Sequence, residues 1–191
     1  MCGRYGFYKG QGDEKAAVVL SMLEQRYPDT PFKTGEIFPG DTAPGVIGER
    51  GRILPVPAVF GFPGYRDGGL IINARSETAA EKPMFSESLR ERRIVLPANG
   101  FFEWDHTAKK TKYYFTVDDL PTIYLCGIYR IVEGRYRFVI LTRAANQSML
   151  EIHDRMPVIV SDRSVRPYLT DLNAAMEILA GSALVLARQP A

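Results

Sequence analysis

Cysteine, histidine and tryptophan are all scarce in this chain: two, two and one respectively in 191 residues. Cys2 and Cys126 are too few and too far apart for a disulfide framework or a Cys-rich zinc site. H-x-x-x-H and C-x-x-C spacings are absent, so a metal centre is not expected. No apolar run approaches the roughly 18 residues of a membrane span. The start, Met1-Cys2-Gly3-Arg4-Tyr5, lacks the apolar stretch of a signal peptide, which points to a cytoplasmic protein. Neither sign of charge dominates, since 24 basic and 22 acidic residues leave +2. No repeat, linker or low-complexity tract interrupts the chain, and no Gly-rich phosphate loop precedes a helix. The glycines of residues 64–69 read as a turn.

What is present is ordinary globular composition: 46% hydrophobic, 24% charged and 11% aromatic. The length suits a single domain, 1–191, with a sizeable core. Among the bases, 17 Arg outnumber 7 Lys, a slight tilt toward an anionic ligand because the guanidinium is the better planar partner for phosphate.

Residues 4–8 read as a first strand and 13–26 as a helix, with Asp13 as N-cap and Ala16, Val19, Leu20 and Leu23 at helical spacing. Residues 27–52, rich in Pro, Gly and Thr, read as a long irregular surface segment. Pro55 and Pro57 make 53–62 an edge or bulged strand. Residues 70–72 are short and apolar, and 81–92 suggest a short helix with Phe85 and Leu89 at i and i+4. Strands are expected over 94–96, 101–104, 113–117, 122–132 and 136–142, with a hairpin at Glu133-Gly134-Arg135. Residues 144–151 suggest a helical turn or two, 157–160 an apolar β-branched run, 161–169 and 173–179 helices, and 183–187 a closing strand. The pattern is α+β: a curved, mainly antiparallel sheet or barrel with peripheral helices.

Four places could carry chemistry. If Met1 is removed, Cys2 presents an α-amine and a thiol on one residue. Their reference pKa values, about 7.7–8.0 and 8.5, leave both partly nucleophilic near neutrality. The amine would condense with an aldehyde to a Schiff base, and the thiol would close a five-membered ring on the same carbon. Asn73, Arg75 and Glu77 alternate, so on an extended segment they share a face. That is either a polar and phosphate-binding cluster or a turn with an internal Arg–Glu pair. Glu103 sits between aromatics. It is either a half-desolvated proton shuttle or a solvent-facing acid. Its neighbour Trp104 fits core packing better than a base-stacking platform. His153 is the better-placed imidazole, an acid/base or a structural residue, flanked by Asp154 and Arg155. His106, on a hydrophilic hairpin tip, is assigned no chemistry.

In this order, the blocks Cys2-Gly3-Arg4-Tyr5, Asn73-Ala74-Arg75-Ser76-Glu77-Thr78, Pro97-Ala98-Asn99-Gly100-Phe101-Phe102-Glu103-Trp104 and His153-Asp154-Arg155-Met156-Pro157-Val158 resemble the SRAP (SOS-response-associated peptidase) family, whose members are viewed as abasic-site processing proteins. The resemblance implies a single SRAP domain acting on single-stranded DNA at abasic sites. It implies a thiazolidine crosslink between mature Cys2 and the ring-opened sugar, with no cofactor because the substrate supplies the electrophile. On that carry-over Asn73 orients the sugar or Cys2, Glu103 shuttles protons, and His153 protonates the ring oxygen. Arg4, Arg75 and Arg155 would hold phosphates, and Ser76 and Thr142 would complete the DNA-binding set. A monomer, nucleoid-associated when bound to DNA, is expected, with lyase activity and autocatalytic Met1 removal as further activities. The sequence departs from the family pattern at Phe60-Gly61-Phe62-Pro63-Gly64-Tyr65 and at Tyr168-Leu169, where tryptophans are usual, and both departures are expected to alter the binding surface. The rival readings are a cysteine hydrolase, with Cys2 as nucleophile, His153 as base and Glu103 as orienter, and a non-catalytic single-strand binding module.

Overall fold

A computed structural model describes residues 2–11, 13–64 and 68–191. In chain order the elements are β1 (Arg4–Phe7), α1 (Glu14–Arg26), β2 (Gly35–Ile37), β3 (Thr42–Glu49), β4 (Arg52–Phe60), β5 (Phe62–Pro63), β6 (Leu70–Ile71), β7 (Asn73–Arg75), α2 (Ser76–Ala79) and α3 (Ser86–Glu91). There follow β8 (Arg93–Ala98), β9 (Gly100–Trp104), β10 (Lys112–Thr116), β11 (Ile123–Val132), β12 (Arg135–Ala144), β13 (Arg155–Pro157) and β14 (Ile159–Val160). A 3-10 turn (Asp162–Ser164), α4 (Val165–Thr170), α5 (Leu172–Ala180) and β15 (Ala187–Pro190) complete the chain. The fold is α+β, as the pattern of elements implied.

Five strands close on themselves. β12 pairs β4, β4 pairs β3, β3 pairs β8, β8 pairs β11, and β11 returns to β12. All joints are antiparallel except β12 with β4. The β11–β12 hairpin turns on Glu133 and Gly134, both at positive φ (51° and 74°), the geometry that matches strand twist in a two-residue turn. β8 is buried along its whole length. Ile94, Leu96 and Ala98 join one core with Phe60 and Phe138, whereas Val95 joins a second core with Leu89, Tyr168, Leu169 and Leu179. A strand buried on both faces loses the polar alternation of a half-exposed one. Here helices α3, α4 and α5 cover the outer face.

The second sheet runs β2–β1–β9–β10–β15, all antiparallel. The chain passes from barrel to sheet at Asn99, whose buried amide fixes the corner: its Oδ1 accepts from Tyr8 N at 2.7 Å and its Nδ2 donates to Pro121 O at 2.9 Å. Tyr5, Phe101 and Phe115 face the barrel, with Tyr5 edge-on to Phe60 at 6.1 Å. α1 starts where its cap signal stands, since the Asp13 carboxylate accepts from Ala16 N at 3.0 Å, satisfying an orphan donor of the first turn.

Two expectations are overturned. Residues 27–52 are not a surface loop: they supply β2 and the eight-residue β3, a wall of the barrel. The glycines that suggested irregularity serve close approach. A Cβ at Gly48 would lie 2.8 Å from the Leu169 backbone oxygen, and one at Gly45 would lie 2.6 Å from Ile94 Cδ1. β4 is likewise a barrel wall rather than an edge strand. Its prolines nonetheless obey the usual rule. Pro55 and Pro57 pair only with β3, and the β12 pairing starts at Ala58. Residues 144–151 form the expected helical turns, with Leu150 N donating to Asn146 O at 3.0 Å. Two smaller differences follow: the helix expected over 81–92 is confined to α3, and the closing strand is β15, shifted to 187–190. The expected turn at 64–69 and the aromatic Tyr65 lie partly or wholly outside the described residues. Among the described residues no helix is long and apolar enough to cross a membrane.

Candidate functional site

β12 gathers blocks that the sequence keeps far apart. Its second half carries β7 on one edge (Ile140 opposite Asn73, Thr142 opposite Arg75) and β13 on the other (Thr142 opposite Pro157, Ala144 opposite Arg155). Residues opposite one another share a face, so Asn73, Arg75, Thr142 and Arg155 lie on the same side as Ile140, whose side chain belongs to the core that also holds Cys2. The antiparallel pairing of Arg4 with Phe102 then brings the start of the chain beside Glu103.

Cys2 is 1% exposed and its thiol lies 4.0 Å from the Arg4 carbonyl. Burial pushes the thiol well above its ordinary range, and the Glu103 carboxylate raises it further. Glu103 alternates with Phe101 onto the core side of β9 and is 6% exposed, so it is not a solvent-facing acid. His153 follows the 146–152 turns, its N–H donating to Met149 O at 3.1 Å. Its Nδ1 accepts from Arg155 N at 2.9 Å and also lies 2.9 Å from Asp154 Oδ1. One nitrogen cannot serve both contacts at once. Accepting the backbone N–H requires the neutral ring with its proton on Nε2; an ion pair with Asp154 requires a proton on Nδ1. Burial lowers the His153 pKa, with Glu103 and Asp154 opposing, and Asp154 is 79% exposed. The neutral Nε2–H form is therefore the resting one. His106, from the β9–β10 turn, packs against this ring at a 45° tilt, with centroids 5.2 Å apart.

Arg155 does not present a free fork. Its two terminal nitrogens grip Glu77 at 2.6 and 2.8 Å, and Nη2 also donates to Thr142 O at 2.7 Å. Hydrogen bonding from Arg155 holds the Glu77 carboxyl down at about 2. Glu77 thus pairs with Arg155 and not with Arg75. The extended segment ends at Arg75, and α2 carries Glu77 round to reach β13. Ser76 is 8% exposed and Thr142 has no exposed surface; the Thr142 hydroxyl donates weakly to Ala74 O at 3.5 Å. Arg75 is exposed. Both polar side-chain atoms of Asn73 are buried without a hydrogen-bond partner among the described residues. Each such orphan costs about 1–3 kcal/mol, which points to a group that meets an external partner.

The outer face of the β2–β1–β9–β10–β15 sheet is basic and aromatic. Arg4 lies 4.1 Å from the Phe38 ring and 4.8 Å from the Trp104 ring, with Glu36 at 3.5 Å. Lys112 lies 4.0 Å from the Phe102 ring and is ion-paired with Glu36. Trp104 belongs to neither core cluster, so the expectation of core packing fails there: the strand alternation that turns Glu103 inward turns Trp104 outward. Conversely Phe60, Phe62 and Tyr168 are at most 1% exposed. Tyr168 donates to Gly127 O at 2.8 Å. At Phe60, Phe62 and Tyr168 these departures from the family pattern therefore alter the core and not a surface. Cys126, fully buried between barrel and helices with its thiol raised by burial, takes no part. Among the described residues no three His, Cys, Asp or Glu side chains gather to hold a metal ion.

The α+β scaffold brings the second residue within electrostatic reach of a buried acid, and that acid within reach of an imidazole. The family model for SOS response associated peptidase (SRAP) matches residues 1–186, and the chain belongs to that family. It is 31% identical to the abasic site processing protein YedK of Escherichia coli, over 88% of this chain and 79% of that one. It is 35% identical to YoqW of Bacillus subtilis, also an abasic site processing protein, over 94% and 84%. A crystal structure of a Bacteroides thetaiotaomicron protein has the same fold, with TM-score 0.76 and 20% identity over 99% of this chain and 91% of that one.

Proposed function

We propose that this protein is an abasic-site processing protein that binds single-stranded DNA and forms a thiazolidine with the lesion. In the 191-residue chain the Cys2 nitrogen is an amide, so the reaction requires removal of Met1. The freed amine attacks C1′ of the ring-opened sugar, and the carbinolamine loses water to give the imine. The Cys2 sulfur then bonds to C1′ as its proton passes to the nitrogen. One water is released and no oxidant is needed. Glu103 takes the proton of the attacking amine and returns it to the departing hydroxyl. His153, once protonated on both ring nitrogens, supplies from Nε2 the proton that opens the hemiacetal ring. Asn73 offers a donor and an acceptor to the sugar or to Cys2. Arg4 and Arg75 meet phosphates, and Trp104 offers a stacking surface. Arg155 serves as a clamp through Glu77, with Thr142 and Ser76 as buried supports.

The observation that carries this reading is the environment of the Cys2 thiol. A cysteine hydrolase needs a thiolate, which a positive neighbourhood stabilises. Here burial and a facing carboxylate do the reverse. A neutral thiol suits a sequence in which the amine reacts first and sulfur adds to an imine already formed.

The test is incubation of the Met1-free chain with an abasic single-stranded oligonucleotide, followed by a denaturing gel and intact mass. The expected adduct weighs protein plus DNA minus one water. An extra residue before Cys2 abolishes it, and Cys2→Ser leaves only an imine that a reductant traps. Absence of any covalent species would reduce the protein to a binding module. Thiol-dependent hydrolysis unaffected by blocking the amine would favour the hydrolase, and strand scission would show lyase chemistry after the imine.

A further inference from the structure

The chain's only two histidines, 47 positions apart, lie ring beside ring: His106 and His153 have ring centroids 5.2 Å apart and tilted at 45°. Sequence offers no reason for this, because His106 belongs to a seven-residue turn whose conformation is set by another residue. Asp105 closes that turn, its Oδ1 accepting from Thr107 N, Thr107 Oγ1 and Thr111 N at 3.1, 2.6 and 3.1 Å. The turn therefore holds the exposed His106 ring against His153, whose side chain is only 12% exposed. We infer that His106 is a positioning residue for His153: two rings this close resist carrying two protons, so His106 lowers the pH range in which His153 holds and gives up its own.

Glu103 from β9 and the neighbouring Asp154 favour protonation of His153, whereas the positive amino terminus and His106 oppose it. Arg155, next along the chain, has its charge met by Glu77. Of the opposing groups, His106 is the one whose ring lies beside that of His153. Two unit charges at this separation under water-like screening displace a midpoint by about half a unit, and by more under weaker screening. The consequence for crosslinking rests on the role given to His153 under the proposed function; the coupling of the two rings does not.

With two histidines in the chain, imidazole C–H signals report the pair directly by NMR titration. In the full chain, His106→Phe keeps a ring against His153 and removes the charge. The His153 midpoint is expected to rise by about half a unit or more, and the His153-dependent limb of the crosslinking rate–pH profile should rise with it. His106→Ala, in an exposed turn, should raise it at least as far. A His153 midpoint that moves in the Ala variant but not in the Phe variant would show packing alone and overturn the inference, as would no movement in either. If the midpoint moves as expected while the wild-type chain forms no DNA adduct, the pairing stands and the proposed function falls. An adduct with an unmoved midpoint is the reverse.

Discussion

Glu77→Gln isolates the clamp that holds β13 to α2. Glu77 receives both terminal nitrogens of Arg155 and the Ala144 N–H at 3.1 Å, and its carboxyl is held at about 2 from an ordinary 4.5. Unscreened, that difference would correspond to about 3 kcal/mol. The Glu77 side chain is 46% exposed, so solvent screening reduces the figure to about 1 kcal/mol. Losing the charged partner of an Arg155 that is only 12% exposed adds to this, for a total of about 1–2 kcal/mol. The sign follows from the depressed folded-state value. The stabilisation is fully present above pH 4.5 and is lost as pH falls toward 2, because the unfolded chain binds the proton first. Urea melts should therefore show the variant less stable at pH 7, by a Tm equivalent of roughly 2–8 °C. The gap should shrink by more than about half at pH 3. An equal deficit at both pH values would mean that shape, not charge, holds the clamp, and no deficit at pH 7 would refute its energetic role.

Glu103→Gln should slow crosslinking and its reversal while DNA affinity, measured by fluorescence anisotropy, stays near wild type; a large affinity loss would assign Glu103 to folding. His153→Ala should slow the ring-opening step by about 100-fold or more, and unchanged single-turnover kinetics would leave His153 structural. Trp104→Ala should weaken single-strand binding by about 1–3 kcal/mol without changing the rate at saturating DNA, whereas unaltered affinity would remove Trp104 from the interface. Gly48→Ala should cost about 1–3 kcal/mol in denaturant melts, because its Cβ would meet the backbone of Leu169; a neutral result would mean that α4 moves freely away from β3.

The α1 cap, the β11–β12 hairpin and the polar-to-apolar step at His153 were legible because each depends on neighbours within a few residues. The inward turn of Glu103 was not, because alternation separates it from Phe102 and Trp104 without saying which face meets the core. The barrel wall β3 was not legible. Its Pro and Gly content reads as loop until it is known that Leu169 and Ile94 pack against the glycines and that the prolines of β4 pair on one side only. Order along the chain likewise supplied the candidate types, Cys2, Asn73, Glu103 and His153, since their chemistry is a property of the side chains themselves. Who touches whom was decided by folding. Arg155 chose Glu77, His106 came to rest on His153, and burial with a facing carboxylate kept the Cys2 thiol protonated. Those outcomes depend on distance and dielectric between segments far apart in the chain, which only the packed sheets define.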